Sequence, residues 1–430
     1  MDLSSSGRRP RVLHLTQPVD GGVARVVADL VRAQLADGLQ PVVACPESEL
    51  SVRLRALGAP VHPWQATRSP GPSLAREVRQ LARLIDGIRP DLVHAHSAKA
   101  GLAGRLAVRG RIPTVFQPHA WSFEAVGGTT ADLALTWERW GARWAARTVC
   151  VSEAERRTGV AAGISGRWTV VPNGVDPEHF RPAPAEDVRA LLAPLAGVPA
   201  GAPLVVCVGR LCRQKGQDVL LRAWQSVVRQ VPEARLVLVG DGPDRERLRA
   251  AAPRSVVFAG AVGDTAPWYQ AADLVVLPSR WEGMALAPLE AMACGRPVVL
   301  TEVDGARESL PPAFAPFLLV PPESPAELAR AVADLLRDRP LRASLGDGGR
   351  RHVLARHDVR RTTRAVTDVY RDLLGTWSGR RWTRPPREGG PQSGRGADVR
   401  APRRSRAESA GAHRTTQRVE PSEHRESIHS

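Results

Sequence analysis

The sequence predicts an α/β protein made of two successive parallel-sheet halves. Three observations carry that expectation. Short apolar runs rich in Val and Leu alternate with amphipathic stretches from residue 11 onward, the βαβα pattern of a parallel sheet. The pattern breaks in a Pro/Ala-rich segment, residues 182–203, and restarts at residue 204. The chain of 430 residues is too long for one ordinary domain.

Residues 1–9 read as a loose tail. Strands are expected at 11–16, 41–45, 61–64, 91–96, 114–119, 148–152 and 169–171. A glycine pair, Gly21-Gly22, separates the first strand from a helix that runs to about residue 35. Residues 73–88 read as a helix with Leu74, Val78, Leu81, Leu84, Ile85 and Ile88 on one face. Arg76, Arg79 and Arg83 lie among its polar positions. These fit a solvated face, with contact to anionic lipid as the minority reading. Residues 131–143 form a Trp-rich helix, and the Pro and Gly of 171–176 predict a fixed bend.

The second half begins with a strand at 204–209, then a helix to about 229. Strands follow at 234–241, 256–260, 274–278 and 297–301, with a helix around Trp268 and another at 287–293 ended by Gly295 and Pro297. Further helices are expected at 325–337, 341–352 and 359–374. The segment 376–430 is rich in Pro, Gly, Ser and Arg and shows no periodicity, which predicts disorder. The domains expected are 10–180, a linker with a lead helix at 181–203, 204–358, and a final helix at 359–375.

The formal charge is +16, and Lys99 and Lys215 are the two lysines. Residues 376–430 hold twelve arginines against six acidic residues, so six of the sixteen charges belong to that segment. Scattered arginines without a binding motif argue against nucleic acid as a partner. Five cysteines without metal spacing read as buried thiols in a reducing compartment. No apolar run reaches transmembrane length, and the first residues lack a signal-peptide pattern. A cytoplasmic protein is expected, with membrane contact at most peripheral, on the inner face.

The residues with chemistry gather at strand ends. The stretch 279–308 places Glu282 and Glu290 eight apart, after a buried strand and around the turn Gly283-Met284-Ala285-Leu286. Ligands bind open α/β sheets at that carboxyl edge. Free N–H groups at the turn favour a phosphate, and carboxylates can accept from sugar or ribose hydroxyls. Arg210 and Lys215 flank another strand-to-helix turn. Lysine is so rare here that a merely solvated position would predict arginine; two cations there suit a diphosphate. Gly21 and Gly22 could bring backbone to a ligand, or serve an ordinary tight turn. His94 and His96 share one strand face. A metal would need more ligands than these, so packing or an acceptor-side role is expected. His119 follows an apolar strand at the same sheet edge.

These motifs resemble the retaining glycosyltransferases of the GT4 type, the glycosyl transferases of group 1. The resemblance rests on E-x7-E at Glu282 and Glu290, on Gly209-Arg210-Leu211 with Lys215-Gly216, and on Val171-Pro172-Asn173-Gly174-Val175-Asp176. It spans about residues 10–374. The turn departs from the family's usual second glycine by carrying Met284 and Ala285. The resemblance implies a GT-B fold, two Rossmann-like domains facing across a cleft. It implies transfer of a hexose from a GDP- or UDP-linked donor, with retention, to a hydroxyl of a glycan, lipid-linked or small-molecule acceptor. No cofactor and no metal are expected.

On the same resemblance, Arg210, Lys215 and backbone at Gly21, Gly22 and Gly283–Leu286 meet the diphosphate. Glu290 takes the ribose, Glu282 orients the donor sugar, Val262 lies by the nucleobase, and His119 bonds the sugar from the opposite domain. Among the alternatives, GT-B epimerases lack E-x7-E, and phosphorylases need a pyridoxal lysine in a chain with two lysines.

Overall fold

A computed structural model describes residues 9–377, which belong to one compact unit. The predicted tails 1–9 and 376–430 therefore lie outside the described residues, apart from residue 9 and the end of the last helix.

Two sheets, parallel throughout, are present. The first holds β1 (Arg11–Thr16), β2 (Gln40–Cys45), β3 (Val61–Pro63), β4 (Leu92–His96), β5 (Thr114–Gln117), β6 (Arg147–Cys150) and β7 (Trp168–Val170). Their order is β3-β2-β1-β4-β5-β6-β7. The second holds β8 (Leu204–Val208), β9 (Arg235–Val239), β10 (Val256–Gly260), β11 (Leu274–Leu277), β12 (Val298–Thr301) and β13 (Leu319–Val320), in the order β10-β9-β8-β11-β12-β13. The central strands are buried on both faces because helices cover both sides; every residue of β11 is at most 4% exposed. In each sheet the order reverses beside the first strand. The β1/β4 and β8/β11 crevices are thus where this architecture binds ligands.

Five helices were not evident from periodicity: Glu49–Ala56, Ser97–Val108, Glu153–Ala161, Arg245–Ala251 and Ala315–Leu318. Ser97–Val108 shows why. Its sheet-facing side is made of small residues: a Cβ on Gly101 would fall 2.2 Å from Phe116, and one on Gly104 2.7 Å from Leu15. Close packing replaces the apolar stripe that sequence reading looks for. β13 has two residues and is too short to show any pattern.

The last helix, Val359–Trp377, packs against the helix Gly21–Ala36 of the first half. Val175 N–H donates to His357 O (2.8 Å) and Val359 N–H to Val175 O (3.0 Å), which fixes where the chain returns. A Cβ on Gly174 would lie 2.8 Å from the Asp358 carbonyl carbon, so this approach requires glycine. Among the described residues, no helix is long and apolar enough to cross a membrane.

Candidate active site

The carboxyl ends of β1, β8 and β11 hold most of the predicted site. β1 leads through Asp20 into the helix Gly21–Ala36, and β11 leads through the Glu282–Ala285 turn into the helix Leu286–Ala293. Neither helix has a side-chain cap on its N-terminus. First-turn N–H groups lack intrahelical partners and carry the positive end of the helix dipole. Gly21 and Gly22 are exposed, and a Cβ on Gly22 would stand 3.6 Å from Leu286 Cδ1. Two uncapped N-termini, one from each sheet, thus meet.

Beyond β8, Arg210 and Lys215 are half-buried. Gln217 Nε2 donates to Arg210 O (3.0 Å) and holds that backbone. Arg210 Nη1 is buried and has no hydrogen-bond partner. Lys215 Nζ donates to Glu282 Oε1 at 2.5 Å, and Ser279 Oγ donates to the same oxygen at 2.8 Å. Gly216, with φ +65°, lets this loop run under Pro278; a Cβ there would meet Pro278 O at 2.0 Å. The two loops are therefore one structure, with Lys215 and Glu282 paired.

Glu290 is the fifth of the eight residues of the helix Leu286–Ala293, past the turn where the dipole acts. Its charge is met by side chains: Arg25 Nη1 donates to Oε1 (2.7 Å) and the Tyr269 hydroxyl to Oε2 (2.7 Å). Arg25 comes from the other half of the protein. Burial, and then the Glu290 charge, push the Tyr269 phenol far above its ordinary pKa, so it stays a donor. Val262 lies half-buried in the loop after β10.

His119 lies two residues beyond β5, not within it, with φ +58°, and Ala120 follows at φ +114°. Left-handed conformations at two successive non-glycine residues cost energy and occur where surrounding contacts impose them. Here Ala120 N–H donates to Glu155 Oε1 (2.7 Å), while Glu155 Oε2 accepts from Val151 N–H (2.7 Å).

The Glu282–Ala285 turn is pinned to the first half. Ser152 Oγ donates to Gly283 O (2.9 Å) and Asn173 Nδ2 to Met284 O (2.8 Å). Glu308 accepts from Glu153 N–H (2.7 Å) and Ala154 N–H (2.8 Å), capping a helix of the opposite half. Sequence reading did not single out Arg25, Ser152, Glu155, Asn173 or Tyr269 as site residues. The S-x-x-E spacing of Ser152 and Glu155 was the one available signal. Gly283 has no room for a side chain: a Cβ would lie 2.7 Å from Glu155 Oε1, 2.9 Å from Val151 Cγ2 and 3.0 Å from Ala120 N. We expect Gly283→Ala to weaken closure of the two halves by about 1–3 kcal/mol of overpacking. Small-angle scattering should then show a larger radius of gyration at an unchanged melting temperature. An unchanged radius would refute it.

His94 and His96 gain a third partner in His14, and the ligand atoms of the three lie within 4.8 Å of one another. Two facts oppose a metal there. Both ring nitrogens of His14 and of His96 are already engaged in hydrogen bonds, and the group contains no carboxylate to balance a buried dication. The rings are held instead by hydrogen bonds: His94 Nδ1 to the Tyr370 hydroxyl (2.5 Å), His14 Nε2 to Gln34 Oε1 (2.8 Å), His14 Nδ1 to His96 Nε2 (3.0 Å), and His96 Nδ1 to His119 Nε2 (3.2 Å).

Burial keeps all four imidazoles neutral, lowering His14 to about 4 and His119 to about 3, with His94 and His96 well below the ordinary value. A base depressed by folding stabilises the native state fully above its unfolded pKa, and that stability is lost as pH falls toward the folded value. His14 alone should therefore lose roughly 2 kcal/mol between pH 6.5 and pH 5. Glu124 and Glu155, pushed up to about 7 chiefly by burial, work in the opposite direction over this range. The test is a difference: denaturant unfolding of His14→Asn should show a shallower stability loss on acidification than the wild type. Parallel curves would refute it.

The profile of the Glycosyl transferases group 1 family matches residues 202–338, and that of Glycosyltransferase Family 4 matches residues 20–179. The chain is 38% identical over 229 residues to the D-inositol 3-phosphate glycosyltransferase of Saccharomonospora viridis. That alignment covers 49% of this chain and 51% of the relative, so the match spans about half of that protein's length. It is 34% identical over 286 residues to the GDP-mannose-dependent alpha-mannosyltransferase of Mycobacterium tuberculosis, covering 64% of this chain and 72% of the relative. In three dimensions it resembles the sucrose-phosphate synthase of Thermosynechococcus elongatus, with a TM-score of 0.73, 24% identity, and coverage of 86% of this chain and 100% of that one. Two Rossmann-like sheets facing across the site, with both profiles matched in order, make this a GT-B protein, and the chain belongs to glycosyltransferase family 4, the glycosyl transferases of group 1.

Proposed function

We propose that this protein transfers a hexose from a GDP- or UDP-linked donor to a hydroxyl of a glycan, lipid-linked or small-molecule acceptor, with retention at the anomeric carbon. The observation that carries this reading is the buried, unpartnered Nη1 of Arg210. It belongs to the β8–β11 edge, where an uncapped helix N-terminus and Lys215 also stand. A buried guanidinium nitrogen without an acceptor is costly, and a diphosphate oxygen would satisfy it.

On this reading the departing diphosphate is stabilised by fixed charge. Arg210, Lys215 and the N–H groups at Gly21, Gly22 and Gly283–Leu286 meet it, which is electrostatic stabilisation that requires no metal and no cofactor. Glu290 accepts from the ribose hydroxyls while Arg25 and Tyr269 hold it in place. Glu282 keeps Oε2 for a sugar hydroxyl, since Lys215 and Ser279 share Oε1. Val262 borders the base, and His119 bonds the sugar from the first half. The bonds from Ser152, Asn173 and Glu308 hold the cleft closed over the reacting groups and exclude water.

The relatives' names suggest inositol phosphates and mannosyl transfer among the substrates to try first. The deciding experiment incubates the purified chain with a panel of GDP- and UDP-sugars, with and without chelator, and follows nucleoside diphosphate release. Release from one donor class, unaffected by chelator, supports the reading. No release from any donor, with or without acceptors, would overturn it.

A further inference from the structure

Among the described residues, no protein group hydrogen-bonds His119 Nδ1, while its Nε2 is the last link in a buried chain of bonds. The chain begins at Gln34, whose carbonyl oxygen lies 2.8 Å from His14 Nε2. It continues through His14 Nδ1 to His96 Nε2 at 3.0 Å, and through His96 Nδ1 to His119 Nε2 at 3.2 Å. Gln34, His14 and His96 are each at most 1% exposed, so bulk solvent does not reach them.

A neutral imidazole has one donor nitrogen and one acceptor nitrogen. A carbonyl oxygen only accepts, so His14 Nε2 carries the proton and His14 Nδ1 accepts. His96 Nε2 must then donate, and His96 Nδ1 accepts. His119 Nε2 must donate in turn, which leaves Nδ1 with its lone pair. We propose that Gln34, His14 and His96 act as positioning residues that fix the tautomer of His119, so that an unprotonated Nδ1 is offered to the donor sugar.

The consequence rests on the transfer reading above. Positive charge builds on the sugar ring as the diphosphate leaves. A lone pair aimed at a sugar hydroxyl accepts its hydrogen and favours that charge, whereas an N–H there would oppose it. The ring nitrogen that bears the proton is decided by the bond the other nitrogen makes. Here that bond is dictated three links away, by which end of the Gln34 amide faces His14.

The test reads the tautomer directly, by long-range proton–nitrogen correlation on the full chain labelled with 15N-histidine. His119 is assigned by the signals lost in His119→Asn. In the wild type, Nε2 should be protonated and Nδ1 not. In Gln34→Met, which removes the acceptor, both His119 nitrogens should shift toward intermediate values. Transfer kcat should then fall roughly tenfold, the scale of one hydrogen bond, with the KM for donor little changed. Gln34→Glu, an acceptor while its carboxyl is ionised, should restore the wild-type tautomer and most of the rate at alkaline pH. A wild-type His119 protonated on Nδ1 would overturn the relay. So would unchanged His119 shifts in folded Gln34→Met. If Gln34→Met does not fold, the wild-type and Gln34→Glu spectra decide. The stated tautomer in a protein that transfers no sugar would support the relay and count against the transfer reading alone.

Discussion

Lys215→Ala should lower transfer by roughly 30- to 1000-fold, the consequence of losing about 2–4 kcal/mol of transition-state stabilisation from one charge-assisted donor in a closed site. Stability should change little. The Lys215–Glu282 pair is partly exposed, with side chains at 23% and 11%, and such pairs contribute modestly to folding. The pair also creates an ambiguity, because removing Lys215 strips Glu282 of its partner. A double-mutant cycle with Glu282→Gln resolves it. If Lys215 acts on the diphosphate, Lys215→Ala should remain severe in the Glu282→Gln background. If it serves only to neutralise Glu282, the double variant should be no worse than Glu282→Gln alone. An undiminished kcat in folded Lys215→Ala would sink the assignment outright.

Much of the fold was legible because parallel strands buried on both faces announce themselves. β11 reads as Leu274-Val275-Val276-Leu277, and β1 occupies the residues expected of it. The turns were legible for a different reason: Gly216, Gly174 and Gly283 each sit where a Cβ would strike backbone within 3.0 Å, so sequence glycines marked real close approaches. Helices packed through small residues left no such mark, as Ser97–Val108 shows. Neither did contacts across the cleft. Arg25 lies 265 residues from Glu290, and Glu308 caps a helix 155 residues earlier. Nothing local distinguishes Arg25 from the other arginines of an arginine-rich chain. His14 is the same case: a single histidine in a strand acquires meaning only when β1 is paired beside β4, with His14 opposite His94 in register.

That long-range pairing changes what the two glutamates should do when each is replaced by glutamine. Glu290 is held at both oxygens, by Arg25 and Tyr269. An amide in its place must turn its NH2 toward one of these two donors, leaving a half-buried guanidinium or a buried phenol without an acceptor, a loss of about 1–3 kcal/mol. On the proposed roles, Glu290→Gln should weaken binding of the free nucleoside diphosphate roughly 5- to 150-fold on that scale, because the ribose loses a fixed carboxylate. Glu282→Gln should behave in the opposite way toward the nucleotide. It releases Lys215 from its ion pair and makes the ammonium more available to phosphate, so affinity should hold or rise. Transfer should still drop, because the sugar hydroxyl loses the carboxylate at Oε2. Calorimetric titration of both variants with GDP and UDP, beside their transfer rates, separates these effects. Equal loss of nucleotide affinity in the two variants would refute the division of labour and leave the pair as a structural link between turn and helix.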